Sequence, residues 1–208
     1  MSGSEQDNPH RISKGRLETM VDTIFAFAMT LLMFGIAVPE SSVSQTAADL
    51  SAHLVKLIPQ FVLFIIAFVI LALFWIEHHR QFHFLRIVDP TILRFNIAIL
   101  IFIVLIPFTT DVAGAYDGVR IAVLLFHVNI LIVGALFLGQ WMYICRGRHL
   151  CDPEFDAATE GNRFWLPATI PSVAILGILV AFFSPPYSLL AYLLVPFIVI
   201  IRRLTGNK

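Results

Sequence analysis

The chain has 208 residues, of which 58% are hydrophobic and 13% charged, with a mean hydropathy of +0.85. Soluble domains carry roughly twice that share of charge, so the composition excludes one and predicts a polytopic membrane protein. Lys plus Arg and Asp plus Glu number 14 each, so the net charge says nothing and only the placement of charge is informative.

Residues 1–15 open with MSGSEQDNPH, which has no apolar face, and read as a polar tail. Apolar stretches follow at about 24–38, 61–76, 95–108, 121–145, 164–183 and 187–201. With their polar flanks they predict six transmembrane helices at about 17–39, 51–82, 90–112, 119–146, 162–184 and 187–203. The fold class is therefore an all-α integral membrane protein, one helical domain over 16–204 with a short tail at 205–208. Several stretches fall short of the roughly 20 residues that cross a bilayer, so polar flanking groups must lie within or near it. A cleaved signal peptide is the rival reading of the first stretch, and Asp22 inside that stretch argues against it.

Pro39 ends the first helix, and Asp89-Pro90 and Asp152-Pro153 each pair an N-cap with a proline at the first helical position. SPPY makes a short turn between the last two helices. If the N-terminus is cytoplasmic, 12 of the 14 Lys and Arg residues lie inside, leaving only Lys56 and Arg120 outside. That bias predicts a multi-pass protein of the cell membrane with both termini in the cytoplasm. Cys145 and Cys151 then sit on the reducing side as free thiols.

The first helix separates its residues by face. Stepping about 100° per residue from Phe27, Thr23, Leu31, Phe34 and Val38 fall within about 40° and form one stripe with Thr30 at its edge. Asp22 lies on the other side, where a carboxylate in a membrane needs a partner. Arg16 is six residues away, off the three-or-four spacing of same-helix pairs, so that partner must come from elsewhere. The stripe reads either as a lipid- or core-facing surface or as a pore lining.

The end of the second helix, FWIEHHRQFHFLRIVDP, supplies candidates. His79 and His83 at i and i+4, near Glu77, have metal-ligand spacing. A membrane di-iron enzyme needs several such boxes, and this chain has 7 histidines in all, His10, His53, His127 and His149 being scattered. The cluster therefore predicts no metal, no catalytic residue and no enzyme. Instead Trp75, His78 or His79, and Phe82 share a helical face level with Asp22, where an indole or imidazole N–H satisfies the carboxylate.

Together these residues resemble the prokaryotic branch of the transmembrane-protein-175 family of potassium channels. The family motif of Arg, three residues and Phe-Ser-Asp is similar to RLETMVD, with Arg16 and Asp22 retained and Met20 and Val21 in place of Phe and Ser. Trp75, His78, His79, Phe82, Asp89, Leu93, Asn96 and Pro107-Phe108 stand at matching spacings, so the resemblance covers about residues 16–108. It implies a homotetramer of six-helix subunits with helix one around a central pore. The family's constriction falls five, nine and twelve residues after the motif Asp, here Phe27, Leu31 and Phe34, with Thr30 as its pore threonine. Phenylalanine replaces the usual aliphatic residue at two of these positions.

The expected function is a passive cation channel favouring K⁺, with Phe27, Leu31, Phe34, Thr30 and Thr23 along the path. Arg16, Asp22, Trp75, His78, His79 and Asn96 form the network that holds helix one. The expected partners are other copies of the chain and membrane lipid, with no nucleic acid and no cofactor beyond the permeant K⁺. The competing expectation is a proton- or ion-coupled transporter with Asp22, His78 and His79 as relay groups.

Overall fold

The structure is a computed structural model that describes residues 13–36, 46–116, 118–152 and 165–205. Helix α1, Lys14–Leu31, starts at Ser13, whose Oγ accepts from the Arg16 N–H at 3.4 Å. It tightens into a 3₁₀ turn at Leu32–Gly35. The expected helix thus ends short of residue 39, and Val38 and Pro39 lie outside the described residues.

The single helix expected at about 51–82 is two. Helix α2 runs Ala47–Lys56 and α3 runs Ile58–His83, with Leu57 as the turn between them. Pro59 explains the break: it has no N–H to give the preceding helix and disfavours helical continuity at the residue before it. Helix α4, Pro90–Ala115, begins as its Asp-Pro pair dictates, with Asp89 Oδ1 accepting from the Ile92 N–H at 2.8 Å. A tight turn with Gly118 at φ 79° leads into α5, Arg120–Arg146. Helix α6 spans Trp165–Phe183, and Pro153 with its expected helix start lies outside the described residues. The chain reverses at Ser184 into α7, Pro185–Ser188, a 3₁₀ segment at Leu189–Leu193, and α8, Leu194–Thr205.

Among the described residues four helices are long and apolar enough to cross a membrane: Lys14–Gly35, Ile58–His83, Pro90–Ala115 and Arg120–Arg146. Pro167–Phe183 and Pro185–Ile198 are shorter apolar runs. In lipid these helices gain little by hiding apolar surface from water, so close packing and interhelical hydrogen bonds hold them together. Phe74 of α3 stacks on Phe137 of α5 at 5.3 Å, and Phe25, Phe82, Phe126 and Trp141 are likewise buried. At Gly177 α6 comes so close to α5 that a Cβ would run into the His127 imidazole. His127 in turn bonds Tyr192 Oη and Ser188 Oγ, each at 2.9 Å, which fastens the α7 region to α5.

At the other end of the bundle, where α1 begins, the α3–α4 loop pairs with the turn after α5. The Arg86 N–H donates to the Leu150 carbonyl at 2.8 Å, and the Asp152 N–H donates to the Phe84 carbonyl at 3.1 Å. Lys14 Nζ donates to the Leu85 carbonyl at 2.8 Å, so the first turn of α1 is tied to the same loop.

Candidate functional site: the uncovered face of helix one and its anchor

Leu17, Val21, Phe25, Ala28 and Leu32 are buried. Their spacing of four, four, three and four residues puts them on one face of α1, against α3 and α4. Val21 occupies the motif's serine position and contributes an apolar contact there.

Roughly opposite, Thr23, Phe27, Thr30 and Phe34 are exposed and Leu31 is half-buried. Phe27 is 62% and Phe34 83% exposed, so nothing else among the described residues covers these rings. The 3₁₀ turn adjusts the stripe: residues three apart nearly eclipse in that geometry, which sets Phe34 almost directly beyond Leu31. The two threonines have already spent their protons. Thr23 Oγ1 donates to the Thr19 carbonyl and Thr30 Oγ1 to the Phe27 carbonyl, each at 2.8 Å. Both hydroxyls therefore keep lone pairs to offer, which suits a cation and not an anion.

Asp22 holds the helix from the side. Its Oδ1 accepts from Trp75 Nε1–H at 2.9 Å and lies 3.0 Å from His79 Nε2, an ion pair when the imidazole is protonated. Trp75 and His79, one helical turn apart on α3, meet edge to face at 4.6 Å. Both sides of the His79–Asp22 pair remain about two-fifths exposed.

His78 turns the other way and is fully buried. Its Nε2 lies 2.9 Å from Asn96 Oδ1, an acceptor, which assigns the ring proton to Nε2. From Asn96 a hydrogen-bonded chain crosses the bundle. Asn96 Nδ2 donates to Gln140 Oε1 at 3.2 Å, and Gln140 Nε2 to Gln81 Oε1 at 3.0 Å. Gln81 Nε2 donates to Glu77 Oε1 at 2.7 Å and to the Phe137 carbonyl at 3.1 Å. Glu77 ends the chain in a two-pronged pair with Arg80 at 2.7 and 2.9 Å, and Arg80 lies 4.1 Å over the Trp141 ring. Helix α3 is thus a hub that grips α1 with one face and α4 and α5 with another.

One sequence expectation changes. Arg16 does not join Asp22: it is exposed, and its guanidinium makes no hydrogen bond or ion pair among the described residues. Eleven residues before Phe27, about three turns, it falls in line with the uncovered stripe. Glu77 is committed to Arg80 and Gln81, and the described residues contain no group of three metal-ligating side chains. Gln81 and Gln140 went unnoticed in the sequence. The signal was there, since each is an amide inside or beside an apolar run that must find a partner in the membrane.

This architecture defines an all-helical, multi-span membrane protein whose first helix leaves an apolar face uncovered. Residues 16–107 match the family described as the endosomal/lysosomal potassium channel TMEM175. A potassium channel of Streptomyces collinus is 26% identical over 147 residues, covering 69% of this chain and 70% of that one. A potassium channel of Chamaesiphon minutus is 27% identical over 164 residues, covering 75% and 80%. An endosomal/lysosomal proton channel TMEM175 of Gallus gallus is 22% identical over 208 residues, covering 98% of this chain and 40% of that protein. The crystal structure of a lysosomal potassium-selective channel TMEM175 homologue from Chamaesiphon minutus shares the fold, with a TM-score of 0.76 at 23% identity over 94% of this chain and 98% of that one. Over residues 16–107 the chain is thus similar to the TMEM175 family, and the matched bacterial relatives are described as potassium channels.

Proposed function

We propose that the protein is a passive, K⁺-preferring channel of the cell membrane. Four copies assemble with helix α1 of each around a central path. Each subunit spans the membrane six times, the two shorter apolar runs included, with both termini in the cytoplasm. Phe27, Leu31 and Phe34 form the constriction, with Thr23 and Thr30 beside it. The observation that carries this reading is the division of α1 into a buried face and an uncovered apolar face. The uneven placement of Lys and Arg supports the orientation, and the bacterial relatives described as potassium channels support the ion.

A ring of apolar side chains offers no ligands, so a passing ion must shed water, and K⁺ gives up its shell more readily than Na⁺. Each tenfold of preference corresponds to about 1.4 kcal/mol of difference. Such a ring also closes by dewetting, without a moving lid. The phenylalanines offer ring faces to a cation where aliphatic residues would offer none. Asp22, Trp75 and His79 fix the rotation of α1, while His78 and Asn96 brace the helix that holds it.

Proton passage is the second reading, favoured by the vertebrate relative described as a proton channel. Purified protein in liposomes separates the two: K⁺ efflux down its gradient is expected without a pH gradient, and flux of protons alone would replace the first reading by the second. Absence of both would end the channel proposal.

A further inference from the structure

The end of α1 opposite Ser13 borders a cavity that the conduction proposal does not use. It has a volume of about 270 Å³ and lies between the Leu32–Gly35 turn, the first turns of α3 and the last turns of α4. Gly35 forms one wall because a Cβ there would overlap the Asp111 carboxylate. Three polar residues are among its lining: Asp111, Gln60 and Thr110. The Asp111 carboxylate has no hydrogen bond or ion pair among the described residues. Gln60 Oε1 is buried beneath the lining, out of reach of a ligand, and has no donor. Thr110 Oγ1 donates its proton to the Ile106 carbonyl at 2.8 Å, so it too is left as an acceptor. The remaining lining is chiefly apolar, with Leu32, Leu63 and Phe64.

We propose that this cavity binds a small organic primary ammonium ion with an apolar body. The assignment follows from counting. An –NH₃⁺ group has three donors and no acceptor, and the cavity offers three acceptor oxygens, the two of the Asp111 carboxylate and Thr110 Oγ1. A hydrocarbon or aryl body then rests on Leu32, Leu63 and the Phe64 ring. A calcium ion needs six to eight oxygens, more than these walls supply, and an anion is repelled by Asp111. A zwitterionic lipid headgroup would bring its phosphate beside that same carboxylate, so a free amine fits better.

Binding is read on the purified full chain in a neutral detergent by calorimetric titration with benzylammonium, whether or not the protein conducts. Failure here therefore leaves the channel proposal intact, and the reverse also holds. We expect saturable binding at one site per chain. Asp111→Asn should weaken it by about tenfold or more, the scale of a charge-assisted hydrogen bond. On the unaltered protein, benzyl alcohol, which lacks the charge, and benzyltrimethylammonium, which lacks the N–H donors, should both bind more weakly. Non-saturating uptake, equal affinity for the three probes, or an unchanged affinity in a folded Asp111→Asn protein would each overturn the proposal and leave a water-filled cavity.

Discussion

If the Asp22–Trp75 bond sets the rotation of α1, deleting either partner should cost less in the absence of the other. The Trp75 Nε1–H reaches Asp22 Oδ1 at 2.9 Å, and His79 Nε2 lies 3.0 Å from the same oxygen. Hydrogen bonds between membrane helices average about 0.6 kcal/mol and reach about 1.7. A pair as exposed as His79–Asp22 adds between about 0 and 1 kcal/mol. Asp22→Ala removes both contacts and should destabilise the protein by about 1–2 kcal/mol. Asp22→Asn keeps an oxygen for Trp75 and loses only the charge, so it should cost less. The double-mutant cycle of Asp22→Ala with Trp75→Phe should give a coupling of about 0.5–1.5 kcal/mol. Reversible unfolding in mixed micelles, followed by circular dichroism, measures all four proteins. A coupling below about 0.3 kcal/mol, within the error of additivity, would refute the anchor.

Gln81 links Gln140, Glu77 and the Phe137 carbonyl, so Gln81→Leu strands several buried partners and should cost about 2–3 kcal/mol in the same assay. Leu31→Ala widens the proposed constriction, and reversal potentials should report a smaller preference for K⁺ over Na⁺. Unchanged selectivity would remove Leu31 from the filter. Outside the spanning helices, burial pushes the Cys151 thiol above its ordinary range, with Cys145 and Asp152 adding to the effect. In a Cys145→Ser protein, iodoacetamide should label Cys151 slowly at neutral pH and faster after denaturation. Because the folded thiol resists ionisation while the unfolded one ionises near pH 8.5, this residue's contribution to stability should fall as pH rises past about that value.

The membrane class, the start of α4 at Asp89-Pro90 and the division of α1 into faces were readable from composition, cap chemistry and a period of 3.6. The break at Leu57 was not, because hydrophobicity runs on across it; Pro59 was the local signal that competes with that continuity. The sequence limited Asp22's partner to the α3 cluster but left His78 and His79 undivided. One residue step turns a side chain by about 100°, and that step sends His79 to Asp22 and His78 to Asn96. Arg16 was grouped with Asp22 by its motif, although six residues of helix turn the two apart. The path from Asn96 through Gln140 and Gln81 to Glu77 joins residues up to 63 positions apart, and no local pattern orders them.

The central claim is that the uncovered stripe of α1 forms a path for K⁺. Single-channel or macroscopic currents of the purified protein in planar bilayers, under opposed K⁺ and Na⁺ gradients, test it most directly. A K⁺ path along α1 predicts a current that reverses towards the K⁺ equilibrium potential and a shift away from it in Leu31→Ala and Phe27→Ala proteins. A current reversing midway between the two ions in the unaltered protein, or insensitive to both substitutions, would contradict it.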